Sequence, residues 1–327
     1  MLFMLKKILT KKITRTEGII LFFSSYFILN QILLTKDLRF LIGIVQSLFF
    51  YLIAADLHKI TSKSKITKIS LSFITISIIL ITVDTFFRVR GLSINKLLTS
   101  FFFLDNGFYD AKFGSFLFSD SNAIAFYSAG LIFLVDYIED LLKKNFLILK
   151  TASFMLFFLC LSRAAIIAVI ITKIINKRTK NTFWVLFMLA VTISTFAFLV
   201  KDDSSLGTKF TIIEGLLKYI RETNFFVQLI GLGYYNGVDV FGIWLHNIFI
   251  IFYVEGGAFS LFLYFFALLK IYKETNKKGF QFFCFLIIAS FSYAPYILSY
   301  YFVPLGLIVS MEKRSKYSVA PAVSDNP

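Results

Sequence analysis

The chain has 327 residues, of which 58% are hydrophobic, and it carries a formal net charge of +15. A soluble fold of this length needs polar residues to cover its surface, and a chain with 43 Phe and 16 Tyr does not supply them. The basic residues form short clusters between long apolar runs, which is typical of membrane topology signals and argues against nucleic-acid binding.

The long apolar runs predict an all-α polytopic membrane protein, because lipid forces every spanning segment to satisfy its own backbone polar groups. Alternating strands of about ten residues, as in a transmembrane β-barrel, do not fit these runs. The basic N-terminal segment has no cleavage site and predicts a retained cytoplasmic lead-in. Since a span needs about 20 apolar residues, single spans are predicted over 18–35, 38–56, 69–87, 116–138, 182–200 and 247–269.

Two further runs, 146–175 and 280–310, are too long for one span and short for two. Lysines and arginines flank both ends of each run, and a helical hairpin keeps both flanks on the same side of the membrane. Pro295 offers a break near the middle of the second run. We therefore predict two helical hairpins.

The resulting prediction is a single membrane domain, 1–316, with about ten transmembrane helices and both termini in the cytoplasm, followed by a disordered tail, 317–327. This topology places most of the 34 lysines and arginines on the cytoplasmic side, as the positive-inside rule requires. The outer face carries the two longest polar segments, 88–115 and 201–246. Within the second, residues 208–222 have the period of an amphipathic helix that lies at the membrane surface.

Several polar residues at the outer ends of the predicted spans have both a structural and a functional interpretation. Arg163 is either a turn residue that snorkels to water or a clamp for phosphate oxygens. Asp120 and Asn122 enter the fourth span as helix caps or as part of a site. The glycine-rich stretch GLGYYNG, 231–237, is a tight turn or a place where substrate approaches the backbone.

The stretch WLHNIFIIFYVEGG, 244–257, holds one of only two histidines in the chain. His246 is either a cap or packed residue at a helix start, or a proton-transfer group with a suitable pKa. Glu255 lies nine residues further on, where it either tunes His246 or joins two helices. His58, in a basic cytoplasmic loop, is interpreted as structural. Cys160 and Cys284 both lie in apolar runs and predict neither a disulfide nor a metal site.

Three stretches together resemble the O-antigen polymerase and O-antigen ligase superfamily. The first, FSDSNAIAFY, is similar to the family's Asp/Asn entry into a span, and LSRAA is similar to its Ser-Arg-small motif. The third combines GLGYYNG with HNIFIIFYVEGG, similar to the family's glycine turn, its His-Asn at a span start and its glycine-rich continuation. The order of the motifs and the long outer loop before His246 also match, and the resemblance covers about residues 115–270.

The resemblance implies a GT-C-like membrane fold and a metal-independent, cofactor-free glycosyltransferase on the outer face of the bacterial inner membrane. Its donor is a glycan on undecaprenyl pyrophosphate, and a flippase and a chain-length regulator are the implied protein partners. By position, Arg163 holds the pyrophosphate and His246 orients or deprotonates the acceptor hydroxyl, with Asn122 and Asn247 beside the substrate.

One position departs from the family pattern, which often has an arginine at the start of the amphipathic helix. Lys209 occupies that place, and a lysine neutralises phosphate without the bidentate geometry of an arginine. Arg221, further along the same helix, is the alternative, and Arg88 and Arg90 in the other outer segment are reserve candidates.

Three functions remain open from the sequence. The first is a polymerase that joins lipid-linked repeat units into O-antigen, capsule or exopolysaccharide. The second is a ligase that transfers finished glycan to lipid A core. The third is a flippase or transporter for the lipid-linked glycan, although related halves and a charged path across the bilayer are not evident. The compact chain and its modest outer loop favour the polymerase.

Overall fold

A computed structural model describes residues 13–34, 39–90, 117, 121–160, 162–177, 204–234, 236–243, 245, 247–275, 277–291 and 302–317. All secondary structure in these ranges is helical. The helices are α1 (Arg15–Leu34), α2 (Arg39–Ile60), α3 (Lys63–Val89), α4 (Ser121–Leu142), α5 (Leu147–Leu159), α6 (Arg163–Lys177), α7 (Ser204–Glu222), α8 (Phe225–Ile230), α9 (Gly237–Phe241), α10 (Ile248–Glu274), α11 (Lys277–Ser290) and α12 (Val303–Tyr317).

Four helices of the described chain, α1, α3, α4 and α10, are long and apolar enough to cross a membrane. They correspond to the predicted spans 18–35, 69–87, 116–138 and 247–269, and α2 covers the predicted span 38–56. Shorter apolar helices lie in α5, α6 and α11. The prediction of a helical membrane protein is confirmed at this level. The count of ten spans, the GT-C-like fold and the cytoplasmic termini stay predictions, and span 182–200, Pro295 and the tail 318–327 lie outside the described residues.

The predicted hairpin over 146–175 is confirmed as two short helices, α5 and α6. Lys150, near the start of α5, contacts a carboxylate oxygen of Asp136 on α4 at 2.8 Å. Lys173, near the end of α6, binds the other carboxylate oxygen of the same residue. A single helix of 30 residues would separate these two lysines by about 35 Å. Because both lysines bind Asp136, the chain must reverse its direction between Lys150 and Lys173.

The second long run, 280–310, is likewise split into two helices, α11 and α12. A Cβ atom added at Gly279, near the start of α11, would lie 3.5 Å from Glu312 Oε1 in the last part of α12. The first and last parts of this run, at the start of α11 and in the last part of α12, therefore lie side by side, as a hairpin requires.

The chain folds into two compact units, each assembled from segments that are distant in the sequence. The glycine-turn unit comprises Met1–Leu48, Leu199–Glu274 and Ser290–Ser299, and the hairpin unit comprises Phe49–Phe198, Thr275–Ala289 and Tyr300–Pro327. The single membrane domain over 1–316 stays a prediction, and each unit has its own core.

In the hairpin unit, α4 is the central helix, and nearly nine-tenths of its apolar 18-residue stretch is buried. It packs against α3, α5, α6 and α12. Its aromatic residues also contact α11, where Phe133 meets Phe282 with ring centroids 5.8 Å apart. Gly130 allows this approach, since a Cβ at that position would lie 3.1 Å from the Phe282 ring. The sequence of α4 is apolar all round because neighbours cover most of its surface.

In the glycine-turn unit, α1 packs along α10, and α8 and α7 also contact α10. An aromatic cluster joins the two long helices: Phe23 and Phe27 of α1 meet Phe252 of α10 at centroid distances of 5.6 and 5.8 Å. Tyr264 lies 4.4 Å from Phe252 on the same side. Buried rings of this size contribute large apolar areas, so the cluster fixes the pairing of α1 with α10.

Candidate functional site

The predicted site residues fall into both units. The hairpin unit contains Arg88, Arg90, Asn122 and Arg163, and the glycine-turn unit contains Lys209, Arg221, His246 and Asn247. His246 and Asp120 lie outside the described residues, as do the side chains of Arg163 and Lys209. The convergence of all these residues on one substrate stays a prediction, and each unit has its own constellation of polar groups.

The first constellation, here called the hairpin tip, consists of Leu159 at the end of α5, Arg163 at the start of α6, and Ser162 immediately before α6. The hydroxyl of Ser162 donates to Asn122 Oδ1 on α4 at 2.7 Å. It also accepts from the N–H of Ala165 at 3.4 Å, so Ser162 caps the start of α6. Asn122 is thus joined to the residue that immediately precedes Arg163. Asn122, in the first turn of α4, therefore binds the cap residue of a different helix. The predicted cap at the start of α4, Asp120, lies outside the described residues.

Arg88 reaches the same connection from α3. Its Nη2 donates to the carbonyl oxygen of Leu159, the last residue of α5, at 3.0 Å. Only 5% of Arg88 is exposed. One turn earlier on α3, the carboxylate of Asp84 accepts from the N–H of Leu117 at 2.9 Å. The sequence placed Arg88 at the start of an outer loop, but α3 continues to Val89, so this arginine is a buried residue in the last turn of α3.

Arg90 occupies a different environment from Arg88. It follows the last turn of α3, is exposed, and lies over the Phe87 ring at 5.1 Å from the centroid. A guanidinium above an aromatic face is attracted by the electron density of the ring. Arg88 is therefore engaged in packing the hairpin tip, while Arg90 is open to an anion.

The second constellation is the glycine turn, residues 231–237, which docks on a break in α10. Gly257 has a φ of 75° inside α10, so the helix is interrupted there. A helix break frees carbonyls in the preceding turn. The N–H of Leu232 donates to Val254 O at 3.0 Å, and the N–H of Gly233 donates to Glu255 O at 2.8 Å. The glycine turn thus satisfies the carbonyls that the break exposes.

Two glycines permit this docking. A Cβ at Gly231 would lie 2.3 Å from Glu255 O, and a Cβ at Gly257 would lie 2.1 Å from Leu229 O. Both distances are far below van der Waals contact with backbone atoms, which cannot move aside. Gly231 also has a φ of 91°. Glycine is required here because two backbones approach without room for a side chain.

Polar residues of α1 complete the second constellation, and the sequence reasoning missed them. Gln31 accepts from the N–H of Tyr234 at 3.1 Å and donates to its carbonyl at 3.3 Å. Asn30 donates to Ile230 O at 2.7 Å, and the hydroxyl of Tyr26 donates to Gly256 O at 3.0 Å. Inside the predicted span, Tyr26 and Asn30 are one turn apart and Gln31 is adjacent to Asn30, and this group of polar residues was the available signal.

Glu255 faces the glycine turn. It is 7% exposed, and its Oε1 lies 2.6 Å from the position of a Cβ added at Gly237. The backbone carbonyl of Glu255 accepts from the turn as well. Its backbone carbonyl and its carboxylate thus both lie against the glycine turn, and Glu255 joins this turn to α10. An effect of Glu255 on His246, which lies outside the described residues, stays a prediction.

The start of α10 is capped by Asn247. Its Oδ1 accepts from the N–H groups of Phe249 and Ile250 at 2.9 and 3.2 Å, and its Nδ2 donates to Phe291 O at 3.2 Å. These bonds make Asn247 the N-cap. The capping function that the sequence offered as an alternative for His246 is therefore filled by its neighbour. Contact of Asn247 with a substrate stays a prediction.

The amphipathic helix predicted over 208–222 is confirmed as α7, although it starts earlier, at Ser204. Its predicted apolar face is exposed within the structure: Phe210 is 63% exposed, and Ile213 and Leu217 are each about half exposed. The buried side holds Ile212 and Tyr219 instead. An exposed apolar face on a membrane protein is suited to lipid, in line with the predicted surface position.

Burial raises the pKa of Tyr219 to about 12, with Tyr253 nearby adding to the shift. The hydroxyl therefore stays protonated, and it shares its hydrogen between Val227 O at 3.3 Å and Val254 O at 3.4 Å. These bonds join α7 to the break in α10.

Lys209 and Arg221 are twelve residues apart on α7, about 18 Å along the axis. The two cations belong to opposite ends of the helix rather than to one cluster, and Arg221 is exposed.

Within the described part of the chain, no three His, Cys, Asp or Glu residues lie close enough together to hold a metal ion. Cofactor-free and metal-independent catalysis stays a prediction. The described cations near the two constellations, Arg88, Arg90 and Arg221, suit anionic oxygen ligands rather than metals. Comparison with protein-family models, with characterised proteins and with solved structures gives no match for this chain.

Proposed function

We propose that the protein is a membrane glycosyltransferase that polymerises undecaprenyl-pyrophosphate-linked oligosaccharide repeat units on the outer face of the inner membrane. The donor glycan is held by its pyrophosphate, and a hydroxyl of the acceptor glycan attacks the anomeric carbon. The bond from that carbon to the pyrophosphate oxygen breaks, and the hydroxyl proton passes to a base. Undecaprenyl pyrophosphate then leaves as the anion.

The observation that carries the proposal is the contact between motif segments far apart in the sequence. FSDSNAIAFY and LSRAA meet through the hydrogen bond between Asn122 and Ser162. The stretches GLGYYNG and VEGG meet through the backbone bonds of Leu232 and Gly233. Short motifs that occur by chance have no reason to be neighbours in space, so these contacts support an interpretation in which the motifs of each pair act together.

The proposed chemistry needs few groups. The pyrophosphate is already an activated leaving group, so cations that neutralise its developing charge supply most of the stabilisation. Arg163, with Lys209 or Arg221, has this function. A positioned base adds about 10²–10⁴-fold, and His246 is the candidate because an unperturbed imidazole exchanges protons near neutral pH.

The test replaces the two central residues in the source bacterium. His246→Ala and Arg163→Ala should each leave the protein in the membrane at wild-type amounts and abolish long-chain glycan in an electrophoretic glycan profile. The matched controls are His58→Gln and Arg314→Ala, which change the other histidine and a cytoplasmic-end arginine and should retain long chains. Normal chain length in both test variants would show that the site is wrongly assigned.

Deletion of the whole gene separates the three functions. Single repeat units on lipid A core identify a polymerase. Full-length polymer retained on undecaprenyl pyrophosphate identifies the ligase instead. Lipid-linked units that accumulate only on the cytoplasmic face identify a flippase or transporter.

A further inference from the structure

The hairpin tip is held from two sides by side chains of two other helices. Asn122 of α4 accepts from the Ser162 hydroxyl, and Arg88 of α3 donates to the Leu159 carbonyl. Ser162 is 3% exposed and Arg88 is 5% exposed, so each bond has one buried partner. The two contacts lie on either side of the turn between α5 and α6, four residues or fewer from Arg163.

We infer that Ser162, Asn122 and Arg88 are positioning residues that fix the backbone of Arg163 for its contact with an anionic pyrophosphate group. The inference rests on the proposed function and changes the roles within it. Asn122 and Arg88 act on the substrate through Arg163 rather than by direct contact. Ser162, which the sequence motif contains without assigning it a role, becomes the central residue of the hairpin tip.

The physical argument is that Arg163 is the first residue of α6, and the first residue has no helical turn before it to hold it. Ser162 supplies that constraint twice. Its hydroxyl caps α6 by accepting from Ala165, and the same hydroxyl donates to Asn122 on the central helix. One oxygen therefore fixes the start of α6 to α4. A displacement of about 1 Å at a reacting group can cost about a hundredfold in rate, so such a constraint has functional value.

Arg88 adds the second point of attachment. This contact is at Leu159, three residues before Ser162, so the end of α5 is bound to α3 as the start of α6 is bound to α4. A guanidinium also keeps its charge at every physiological pH. Its hydrogen bond to a carbonyl is charge-assisted and stronger than a neutral one.

The geometry is tested by cross-linking, independently of any activity. Cys160 and Cys284 are first replaced by alanine, and Asn122→Cys is then combined with Ser162→Cys. A short bifunctional thiol reagent added to membranes should join the pair in the full-length protein. The matched control combines Asn122→Cys with Ile170→Cys, about 12 Å further along α6. Equal cross-linking of both pairs, or none at Ser162, would overturn the inferred contact.

The function of the contact is tested by binding of undecaprenyl pyrophosphate, without sugars, to the purified protein in nanodiscs. Loss of one hydrogen bond predicts that Ser162→Ala weakens binding about three- to tenfold. Ser162→Thr keeps the hydroxyl and should restore most of the affinity. Asn122→Leu, which removes the acceptor, provides a second variant with the same expected loss. Ser153→Ala, a change of another buried serine in the same hairpin, should bind as the wild type does.

A double-mutant cycle separates positioning from general stability. If Ser162 acts through Arg163, then Ser162→Ala has no further effect on binding once Arg163→Ala is present. An equal loss in both backgrounds would mean that Ser162 is merely structural and would overturn the inference while leaving the proposed function intact. If Arg163→Ala alone binds undecaprenyl pyrophosphate as tightly as the wild type, the proposed pyrophosphate site fails, and the positioning role fails with it.

Discussion

The glycine turn and the hairpin tip each join segments that are far apart in the sequence, but they do so by different means. In the glycine turn, backbone groups of residues 232–233 bind backbone groups of α10, and glycines remove the side chains that would separate them. At the hairpin tip, the side chains of Ser162, Asn122 and Arg88 make the contacts. Backbone docking tolerates almost no substitution, whereas side-chain docking can be retained by a residue with the same donor or acceptor.

Among the substitutions that test this difference, Gly257→Ala has the largest expected effect on the free energy of unfolding. The added Cβ meets a backbone carbonyl at 2.1 Å, and a φ of 75° is unfavourable for alanine. Strain and overpacking together should lower the free energy of unfolding by about 2–5 kcal/mol. The measurement is denaturant or thermal unfolding of the purified protein in detergent.

Gly242→Ala is the matched control for this prediction. Gly242 also has a positive φ, of 67°, but a Cβ there would have open space around it. The difference between the two variants isolates the close backbone approach from the φ preference. Equal unfolding free energies would show that the glycine turn is not tightly docked on α10.

A smaller effect is expected from Gln31→Leu, which tests how far the glycine turn also depends on side chains. Gln31 is fully buried and binds both backbone groups of Tyr234. Its removal takes an acceptor from a buried N–H, which costs about 1–3 kcal/mol. The same unfolding assay applies, with Gln281→Leu, a partly exposed glutamine of α11, as the control. If Gln31→Leu destabilises as much as Gly257→Ala, the contrast between backbone and side-chain docking is lost.

The smallest expected effect concerns pH. Backbone groups, carboxamides and hydroxyls make most of the contacts in the two regions and do not titrate between about pH 5.5 and 8, so acid in this range should leave these contacts unchanged. Burial lowers the pKa of His58 below its ordinary value. The hydrogen bond to the Ala55 carbonyl opposes this shift, and the charge of Lys313 lowers the pKa further. The folded protein thus keeps His58 neutral where the unfolded chain protonates it.

The consequence is a loss of stability on the acid side. The contribution of neutral His58 is fully present above its unfolded pKa of about 6.5 and is lost as the pH falls below that value. Unfolding of the wild type and of His58→Gln at about pH 8 and pH 5.5 measures this difference. A wild type that loses no more stability than His58→Gln on acidification would contradict the prediction.

The positions of the helices could largely be predicted from the sequence. Apolar length and flanking charge predicted α1, α3, α4 and α10, and the charge clusters around 146–175 predicted the hairpin whose two lysines meet at Asp136. The limits of the outer loops were less predictable. Arg88 was assigned to a loop because it is charged, yet a carbonyl at the hairpin tip gives it a buried partner.

The constellations depend on contacts between residues far apart in the chain. The amphipathic pattern of 208–222 predicted the helix α7, but which residues are buried was decided by Tyr219 reaching the break in α10. The sequence left His246 as a possible cap at the start of α10. The carboxamide of Asn247 reaches two backbone N–H groups at once, and this geometry decides the cap.

The sequence by itself determined that this protein is helical and membrane-embedded, because the composition leaves too few polar residues to cover a soluble fold and lipid accepts only internally bonded backbone. Tertiary structure decided which polar residues are joined: Ser162 with Asn122, Gln31 with Tyr234, and the glycine turn with α10. The physical reason is that hydropathy depends on local composition, whereas a hydrogen bond across 40 or 200 residues depends on how the helices pack.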